Sequence, residues 1–447
     1  MNFREVLGTT QSVVRKASWL RSEHEITLVR DLAGRMRVVI GTREVAKACL
    51  PDSGDEIALT AALQSALGSW VSSNPLWIDR EKERDKPRAM AVRLVRKLRQ
   101  SLDQATAGDP HWYLVERHAA KRTWVGEVQP DPPWPISEVD LGHKPPFITF
   151  FSHKGGVGRT TALAATAIHW AREGRRVALV DLDLEAPGLG SLFLVSPLLI
   201  GTVDFLVEAG MGGATRAREV TSFVSASDIV ADGEGLQIVP CGSVDDVFLE
   251  MLARLDLQDA AAASVLANRL RELFEQLLRD FGPLDAVLVD ARAGLHEVAG
   301  LMLAGLTHGA VVVGTHSPQS WIGVQRVAKL LSAPWVKSGK DPLGLVLVHG
   351  MAPMANDPGK ATEEASFRTH AYDLLSEHYY PKHDIPQPGD EQREHWPVVV
   401  PWQPELRGAG GLLTRDTVAL LLGAPYRNLA ERLEKTFAMS KKAKATT

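Results

Sequence analysis

The sequence predicts an α/β protein with a parallel sheet covered by helices on both faces, preceded by a smaller α+β domain. From residue 147 onward, short and fully apolar segments alternate with helical stretches, a pattern typical of parallel strands buried on both faces. A glycine-rich turn joins the first of these strands to an alanine-rich helix. A proline-rich stretch separates this region from the residues before it.

The proline-rich stretch, QPDPPWPISEVDLGHKPP, occupies residues 129–146. Proline removes a backbone donor and restricts the preceding residue to extended conformations, so we expect a semi-rigid linker there. The predicted organisation is an N-terminal α+β interaction domain at 1–128, the linker, the α/β domain at 147–440 and a flexible basic tail at 441–447.

Composition excludes several classes of protein. With 45% apolar and 23% charged residues in 447, the chain is globular and long enough for two or three domains. No apolar run approaches the roughly 20 residues that span a bilayer, and the N-terminus lacks a secretory pattern. Cys49 and Cys241 are too few for a disulfide scaffold or a CxxC metal site, so we expect a cytoplasmic protein. The net charge of -4 argues against general electrostatic capture of nucleic acid.

The N-terminal region predicts a hairpin and a helix. Ile26–Val29 and Met36–Ile40 flank a turn that contains Gly34. A helix is predicted over Arg88–Leu102, because apolar residues recur there at spacings of three and four. These residues are Ala91, Val95, Leu98 and Leu102.

Basic residues on and before this helix leave two interpretations open. They are Arg80, Lys82, Arg84, Lys86, Arg88, Arg93, Arg96, Lys97 and Arg99. One interpretation is a phosphate-tracking patch that makes nucleic acid a partner. The favoured one is a solvated helix face, partly neutralised by the nearby acidic residues. Trp77, Trp112 and Trp124 could interleave with the patch, but burial is the commoner place for tryptophan.

The segment FITFFSHKGGVGRTT, residues 147–161, carries the chemistry. Glycines allow backbone N–H groups to approach phosphate oxygens, and the start of a helix presents unpaired donors at the same place. A basic side chain and a hydroxyl follow, as phosphate and Mg²⁺ binding require. The strict pattern GxxxxGK[ST] fails twice, because His153 stands in place of Gly and Arg159 in place of Lys.

KGGVGRTT resembles the deviant Walker A motif, KGGxGK[ST], of the MinD/ParA family of P-loop ATPases. The resemblance implies that Lys154 reaches across a homodimer interface to the partner's phosphates. Arg159 keeps the positive charge and is predicted to bind phosphate through two N–H groups, but its planar fork is not a point charge. We therefore expect ATP binding with slow hydrolysis.

The same resemblance assigns the remaining residues of the turn. Thr160 would ligate Mg²⁺ and Thr161 would contact the α-phosphate. The backbone around the β-phosphate would come from Gly155, Gly156, Val157 and Gly158.

Two later strands end in carboxylates. VALVDLDLEAPG at 177–188 is similar to the family's switch I, which makes Asp183 the residue that positions the attacking water and Asp181 a support for Mg²⁺ or the loop. LDAVLVDARAG at 284–294 resembles a Walker B strand running into switch II, with Asp290 at the metal. Ligands of open α/β sheets bind at the carboxyl ends of strands, where all these residues lie.

The base pocket is predicted at Pro401 and Trp402, in a segment that resembles the family's loop near adenine. The strand Leu343–Val348 ends in His349, where many relatives place an Asn that reads the base. ATP rather than GTP therefore follows from the resemblance alone. His349 is interpreted as an ordinary loop histidine.

The predicted function is an ATP-dependent dimerising switch that controls a partner protein or complex. KGGVGRT together with DLDLEAPG resembles a bacterial subgroup found in signalling or defence-type proteins. The alternative is a nucleotide-sensing adaptor with little hydrolysis, whose N-terminal domain binds an effector or nucleic acid. An iron–sulfur carrier would need paired cysteines, and the α/β domain contains only Cys241.

Overall fold

The computed structural model describes residues 2–42, 50–79, 87–102, 109–117, 121–126, 132–134, 138–139, 143–193, 200–209, 215–225, 227–231, 233–255, 262–406 and 413–439. The chain divides into two compact units, residues 1–119 and 120–447. Half of the predicted linker, the tail 441–447, Cys49 and the basic residues between 80 and 86 lie outside the described residues.

The first unit is a mixed five-stranded sheet with helices, as the sequence predicts. Its helices are α1 (Phe3–Arg15), α2 (Ser53–Leu67) and α3 (Pro87–Leu98). Its strands, β1 (His24–Arg30), β2 (Met36–Thr42), β3 (Val71–Ile78), β4 (Gln100–Ser101) and β5 (His111–Glu116), lie in the order β3-β2-β1-β5-β4. The predicted hairpin is confirmed, because β1 and β2 pair antiparallel and Gly34 has a φ of +82° in the turn.

The predicted helix over 88–102 is wrong at its end. Helix α3 ends at Leu98, and the residues after it form β4 against β5, with the Leu102 N–H donating to Trp112 O. The predicted apolar stripe is also shifted, since Val92 is buried and Leu98 is 58% exposed. Pairing with β5 satisfies the backbone N–H and C=O groups that would otherwise form hydrogen bonds within a longer helix.

The basic helix face is partly neutralised within the first unit. Arg99 Nη1 lies 2.9 Å from Glu25 Oε2, and Arg96 Nη2 lies 3.0 Å from Asp79 Oδ2. Trp112 is buried. The favoured interpretation is a solvated helix face, and its neutralising residues, Glu81, Glu83 and Asp85, lie outside the described residues. The observed ion pairs show a basic region that is neutralised by other residues, and nucleic acid stays an untested partner.

The second unit contains an eight-stranded sheet in the order β13-β12-β11-β6-β10-β7-β9-β8. All neighbouring strands are parallel except β8 and β9. The strands are β6 (Phe147–Phe151), β7 (Val177–Leu182), β8 (Ser222–Val224), β9 (Leu236–Val239), β10 (Ala286–Ala291), β11 (Gly309–Gly314), β12 (Gly344–Ala352) and β13 (Val398–Pro401).

Helices connect these strands and cover both faces of the sheet. They are α4 (Arg159–Arg172), α5 (Leu189–Leu192), α6 (Thr202–Ala209), α7 (Ser227–Val230), α8 (Asp246–Arg254), α9 (Ala262–Phe281), α10 (Glu297–Leu301), α11 (Pro318–Leu331), α12 (Ala333–Ser338), α13 (Lys360–His378), α14 (Arg415–Leu421) and α15 (Ala424–Thr436). A π-helical turn, Met302–Leu306, continues α10. In the described part of the chain no helix combines the length and the apolar character that a bilayer span requires.

Alternate residues of the central strands enter separate cores. On β6, Ile148 packs in one core with α4 and α15, whereas Phe147 packs in the opposite core with α9. Phe151 joins a third core with α11 and α13. Burial on both faces explains why these strands are fully apolar, and it fixes their register. The carboxyl ends of β6, β7 and β10 therefore meet at one edge of the sheet.

Candidate functional site

A pocket of about 590 Å³ lies at this edge. It brings together segments that are far apart in the sequence: the glycine turn after β6, the loops after β7 and β10, and the end of β13. The predicted residues that line it are Gly155, Gly156, Val157, Gly158, Arg159, Thr160, Thr161, Asp183, Pro401 and Trp402. The fold thus assembles most of the predicted site in one cavity.

The glycine turn has the geometry of an anion cradle. Gly156 and Gly158 have φ values of +74° and +89°, a conformation that side-chain-bearing residues rarely adopt. A Cβ placed at either residue would meet no atom within 4 Å, so the space above the turn is open. Gly158 caps α4 without any side-chain hydrogen bond to the helix N-terminus. Such a turn can offer backbone N–H groups to phosphate oxygens.

An acidic cluster, formed by Asp183 and Asp290, lies beside the turn. Thr160 Oγ1 donates to Asp290 Oδ2 at 2.7 Å, which places a hydroxyl and a carboxylate together. Asp183 is buried, and its Oδ1 has no hydrogen-bond partner in the described part of the chain. Hydroxyl and carboxylate oxygens are the ligands that Mg²⁺ prefers, and the unpartnered Asp183 oxygen leaves one free to accept. These residues fit a Mg²⁺–nucleotide complex.

Comparison with known proteins agrees with this geometry. Residues 148–333 match the family described as the CobQ/CobB/MinD/ParA nucleotide binding domain. These residues form a nucleotide-binding domain of the MinD/ParA family. The match covers β6 to β11 with the glycine turn and both acidic strand ends, so the predicted resemblance is confirmed.

Individual proteins match the MinD/ParA domain over a shorter stretch or with lower sequence identity. An arsenical pump-driving ATPase from Acidiphilium multivorum is 51% identical over 53 residues, which are 12% of this chain and 9% of that protein. MinD from Pyrococcus horikoshii, in complex with Mg-ADP, is 22% identical, with a TM-score of 0.43 over 65% of this chain and 96% of that one. A chain of the MinC:MinD cell division protein complex from Aquifex aeolicus is 18% identical, with a TM-score of 0.43 over 65% of this chain and 96% of that one.

Within the MinD/ParA domain, Arg159 faces the carboxylates of the acidic cluster. Its Nε lies 2.5 Å from Asp290 Oδ1, and its Nη2 lies 2.7 Å from Asp183 Oδ2. Burial opposes its charge, but Asp290 and Asp183 together raise the pKa of Arg159. Burial raises the pKa of Asp290, and Arg159 opposes that rise. The guanidinium thus balances one carboxylate that the sequence assigned to the metal, Asp290, and one that it assigned to the attacking water, Asp183. The sequence predicted Arg159 itself at the phosphates.

Asp181, predicted as a support for Mg²⁺ or the loop, holds the switch I loop of the domain. Its Oδ1 accepts the Asp183 N–H, and its Oδ2 accepts the N–H groups of Gly188 and Leu189, each at 3.0 Å. It is fully buried beside Asp290 in the register of β7 and β10. Burial and then Asp290 raise the pKa of Asp181 to about 7. Two roles were predicted for Asp181, support of Mg²⁺ and support of the loop, and these contacts favour the second.

Of the remaining predicted residues, Lys154 lies outside the pocket and Trp402 lines it. Lys154 is exposed, and it does not line the pocket of its own domain. Trp402 lines the pocket, and its N–H donates to Ala352 O at 2.8 Å, which ties the base loop to β12. His349 lies within β12, with its ring stacked on Phe367 at 4.1 Å and its Nε2 3.2 Å from Glu363 Oε1. The predicted loop position of His349 is wrong, because β12 continues through it to Ala352, and its packing explains it as a structural histidine.

Sequence reasoning missed an ion pair between the two switch loops. Arg292, which follows Asp290 by two residues, pairs through Nη1 with Oε1 of Glu185, which follows Asp183 by two residues. His296 Nε2 lies 3.2 Å from the same oxygen. Burial, then Arg292, lower the pKa of His296 to about 4, so the ring is neutral near pH 7. Arg292, which lies inside the DARAG segment, was the sequence feature that could have indicated this ion pair.

A second missed contact lies on switch II. The sequence places Trp124 in the N-terminal domain, whereas it belongs to the second unit and packs against Phe151. Its indole N–H donates to His296 O at 2.7 Å. Gly300 makes this packing possible, because a Cβ there would lie 2.2 Å from Thr123 Oγ1. No periodic pattern in the sequence marks residues 121–126 as part of this domain.

Proposed function

We propose that the protein is an ATP-dependent molecular switch: it binds Mg²⁺–ATP at this pocket, dimerises, and hydrolyses ATP slowly to control a partner protein or complex. The observation that carries the proposal is the convergence of the glycine turn, Thr160, Asp183, switch II and the base loop on one cavity. P-loop enzymes use such parts to position a phosphoryl group and to balance its charge.

Each residue has a separate task in this proposal. The turn at 155–158 binds phosphate oxygens through backbone N–H groups, and Trp402 contacts the base. Thr160 and Asp290 hold Mg²⁺, which when bound supplies positive charge to the phosphates. Asp183 orients the attacking water, and its unpartnered oxygen is available to accept a proton from that water. Arg159 would share Asp290 with a bound metal and keep its contact with Asp183.

The switch requires a path from the nucleotide to a partner. Trp124 is anchored on His296, at the start of the helix that follows the switch II loop. Residues 121–126 begin two positions after the N-terminal unit ends. Movement of switch II on nucleotide binding would therefore displace the segment that leads into that unit. This supports a role in which the N-terminal unit binds the partner.

Phosphate release by the purified full-length chain tests the proposal. We expect Mg²⁺-dependent phosphate release from ATP that falls at least about tenfold in Asp183→Asn, because a neutral amide cannot take up the proton of the attacking water. Calorimetry should show that Asp183→Asn still binds Mg²⁺–ADP. No nucleotide uptake by the wild-type chain would contradict the whole proposal.

The alternative, a nucleotide-sensing adaptor with little turnover, is favoured by one observation. Arg159 is buried against both acidic side chains, an arrangement that can hold the site closed to metal. Wild-type phosphate release equal to that of Asp183→Asn, together with tight ATP binding, would establish this alternative. A bacterial signalling or defence pathway remains a proposal from the motif resemblance.

A further inference from the structure

Two arginines line the nucleotide pocket among the described residues, and their surroundings differ. Arg159 is 8% exposed and contacts both Asp183 and Asp290. Arg292 pairs with Glu185, and its side chain is 30% exposed. The side chain of Glu185 is 45% exposed. Arg159 is thus paired with buried carboxylates, whereas Arg292 is paired with a carboxylate that is partly exposed to solvent.

We propose that Arg292 contacts the terminal phosphate of a bound nucleoside triphosphate, and that Glu185 holds Arg292 until the nucleotide arrives. The inference rests on the proposed function, since it concerns the same pocket. It adds a residue that distinguishes triphosphate from diphosphate, at a position in switch II that the Walker motifs leave open.

The energetics favour this exchange of partners. An ion pair between partly exposed side chains contributes little, because water screens both charges. A guanidinium can instead form two parallel, charge-assisted hydrogen bonds with phosphate oxygens inside a pocket. Arg159 cannot make the same exchange cheaply because, even if a bound metal took over part of its contact with Asp290, the buried Asp183 would be left without a counter-charge. Arg292 is therefore the pocket arginine that can move to a ligand.

The connectivity gives the exchange a structural consequence. Glu185 follows Asp183 on switch I, and Arg292 follows Asp290 on switch II, so their ion pair joins the two loops. When Arg292 leaves Glu185 for a phosphate, this direct link between the loops is lost. A diphosphate lacks the terminal group, so the ion pair would persist in the product state.

A purely structural role for Arg292 makes a different prediction. If the ion pair serves only to hold the loops, its loss should weaken the binding of diphosphate and triphosphate alike. A phosphate contact should affect triphosphate alone. The ratio of the two affinities therefore separates the roles, and it does not depend on turnover.

The experiment is calorimetric titration of the full-length chain with Mg²⁺–ADP and with Mg²⁺ and a β,γ-imido analogue of ATP. For Arg292→Ala we expect about tenfold weaker binding of the triphosphate analogue, with ADP affinity changed by less than about twofold. Arg292→Lys should lie between the wild type and Arg292→Ala. Glu185→Gln should tighten analogue binding by about twofold or more, because Arg292 is released.

Arg415→Ala is the matched control, since Arg415 is an exposed arginine on α14, away from the pocket residues. Circular dichroism checks that each variant is folded. An unchanged affinity ratio in Arg292→Ala, or equal loss of both nucleotides, would overturn the inference and leave the proposed function intact. A wild-type chain that binds neither nucleotide would instead contradict the proposed function itself.

Discussion

The Arg159 guanidinium lies between two carboxylates, with Nε 2.5 Å from Asp290 Oδ1 and Nη2 2.7 Å from Asp183 Oδ2. In a strict P-loop, the side chain at this position is a lysine directed at phosphate. Here it neutralises the acidic cluster. How Arg159 and a bound Mg²⁺ would share these carboxylates is therefore central to the proposed function.

Arg159→Ala should destabilise the protein in the absence of nucleotide and metal. Two buried carboxylates would lose their counter-charge, which typically costs about 3–5 kcal/mol. Urea unfolding followed by circular dichroism measures the loss. Millimolar Mg²⁺ should recover part of it in the variant but add little to the wild type. Equal Mg²⁺ effects in both proteins would argue that the cluster is not the metal site.

Lys154→Ala tests the predicted contact across a dimer. Lys154 is exposed and does not line its own pocket, so its removal should leave monomer binding of ATP within about threefold of wild type. ATP-dependent dimerisation, measured by light scattering, should be lost. Lys340→Ala, another exposed lysine, is the control. Dimers that persist with ATP in Lys154→Ala would refute the role.

Gly300→Ala should displace residues 121–126 from switch II. The added Cβ would lie 2.2 Å from Thr123 Oγ1 and 2.7 Å from Trp124 Nε1, and overpacking of this kind costs about 1–3 kcal/mol. Hydrogen exchange in residues 121–126 should rise. Gly8→Ala is the control, because a Cβ there meets no atom within 4 Å in α1 and should stabilise by about 0.5–1 kcal/mol. Unchanged exchange would mean that the segment does not depend on Gly300.

His308 should make stability depend on pH below 6.5. Its Nδ1 accepts the Phe147 N–H at 2.9 Å and its Nε2 lies 3.0 Å from Trp134 O, a pairing that needs the neutral ring. Burial lowers the pKa of His308 to about 4. Between pH 4 and 6.5 the unfolded chain binds more protons, so this contribution is complete above pH 6.5 and is lost as pH falls towards 4.

The non-titrating variant His308→Asn should have a flatter stability profile over the same interval. The difference in free energy of unfolding between wild type and variant should shrink by up to about 3 kcal/mol from pH 7 to pH 4.5. Urea unfolding at several pH values measures it. Parallel profiles for the two proteins would show that His308 does not titrate in this range.

The strands and the order of the motifs could be predicted because both are local in sequence. Fully apolar runs such as Phe147–Phe151 specify strands buried on both faces, and the glycine turn needs only adjacent residues. The position of Asp183 at the edge of the sheet was also predictable, because this residue directly follows the carboxyl end of β7. The end of α3 was not, because pairing of β4 with β5 overrides the helical pattern there.

The sequence by itself predicted a MinD/ParA-type nucleotide site at residues 154–161, since the backbone geometry for phosphate binding depends on a short glycine-rich stretch. Only the tertiary structure decided what the charged side chains do. It placed Arg159 on Asp183 and Asp290, Asp181 on the switch I backbone, and Arg292 on Glu185. Each partner lies on another strand or loop, or depends on how a loop folds back, and the free energy of a charge depends on its neighbours and burial rather than on its position in a motif.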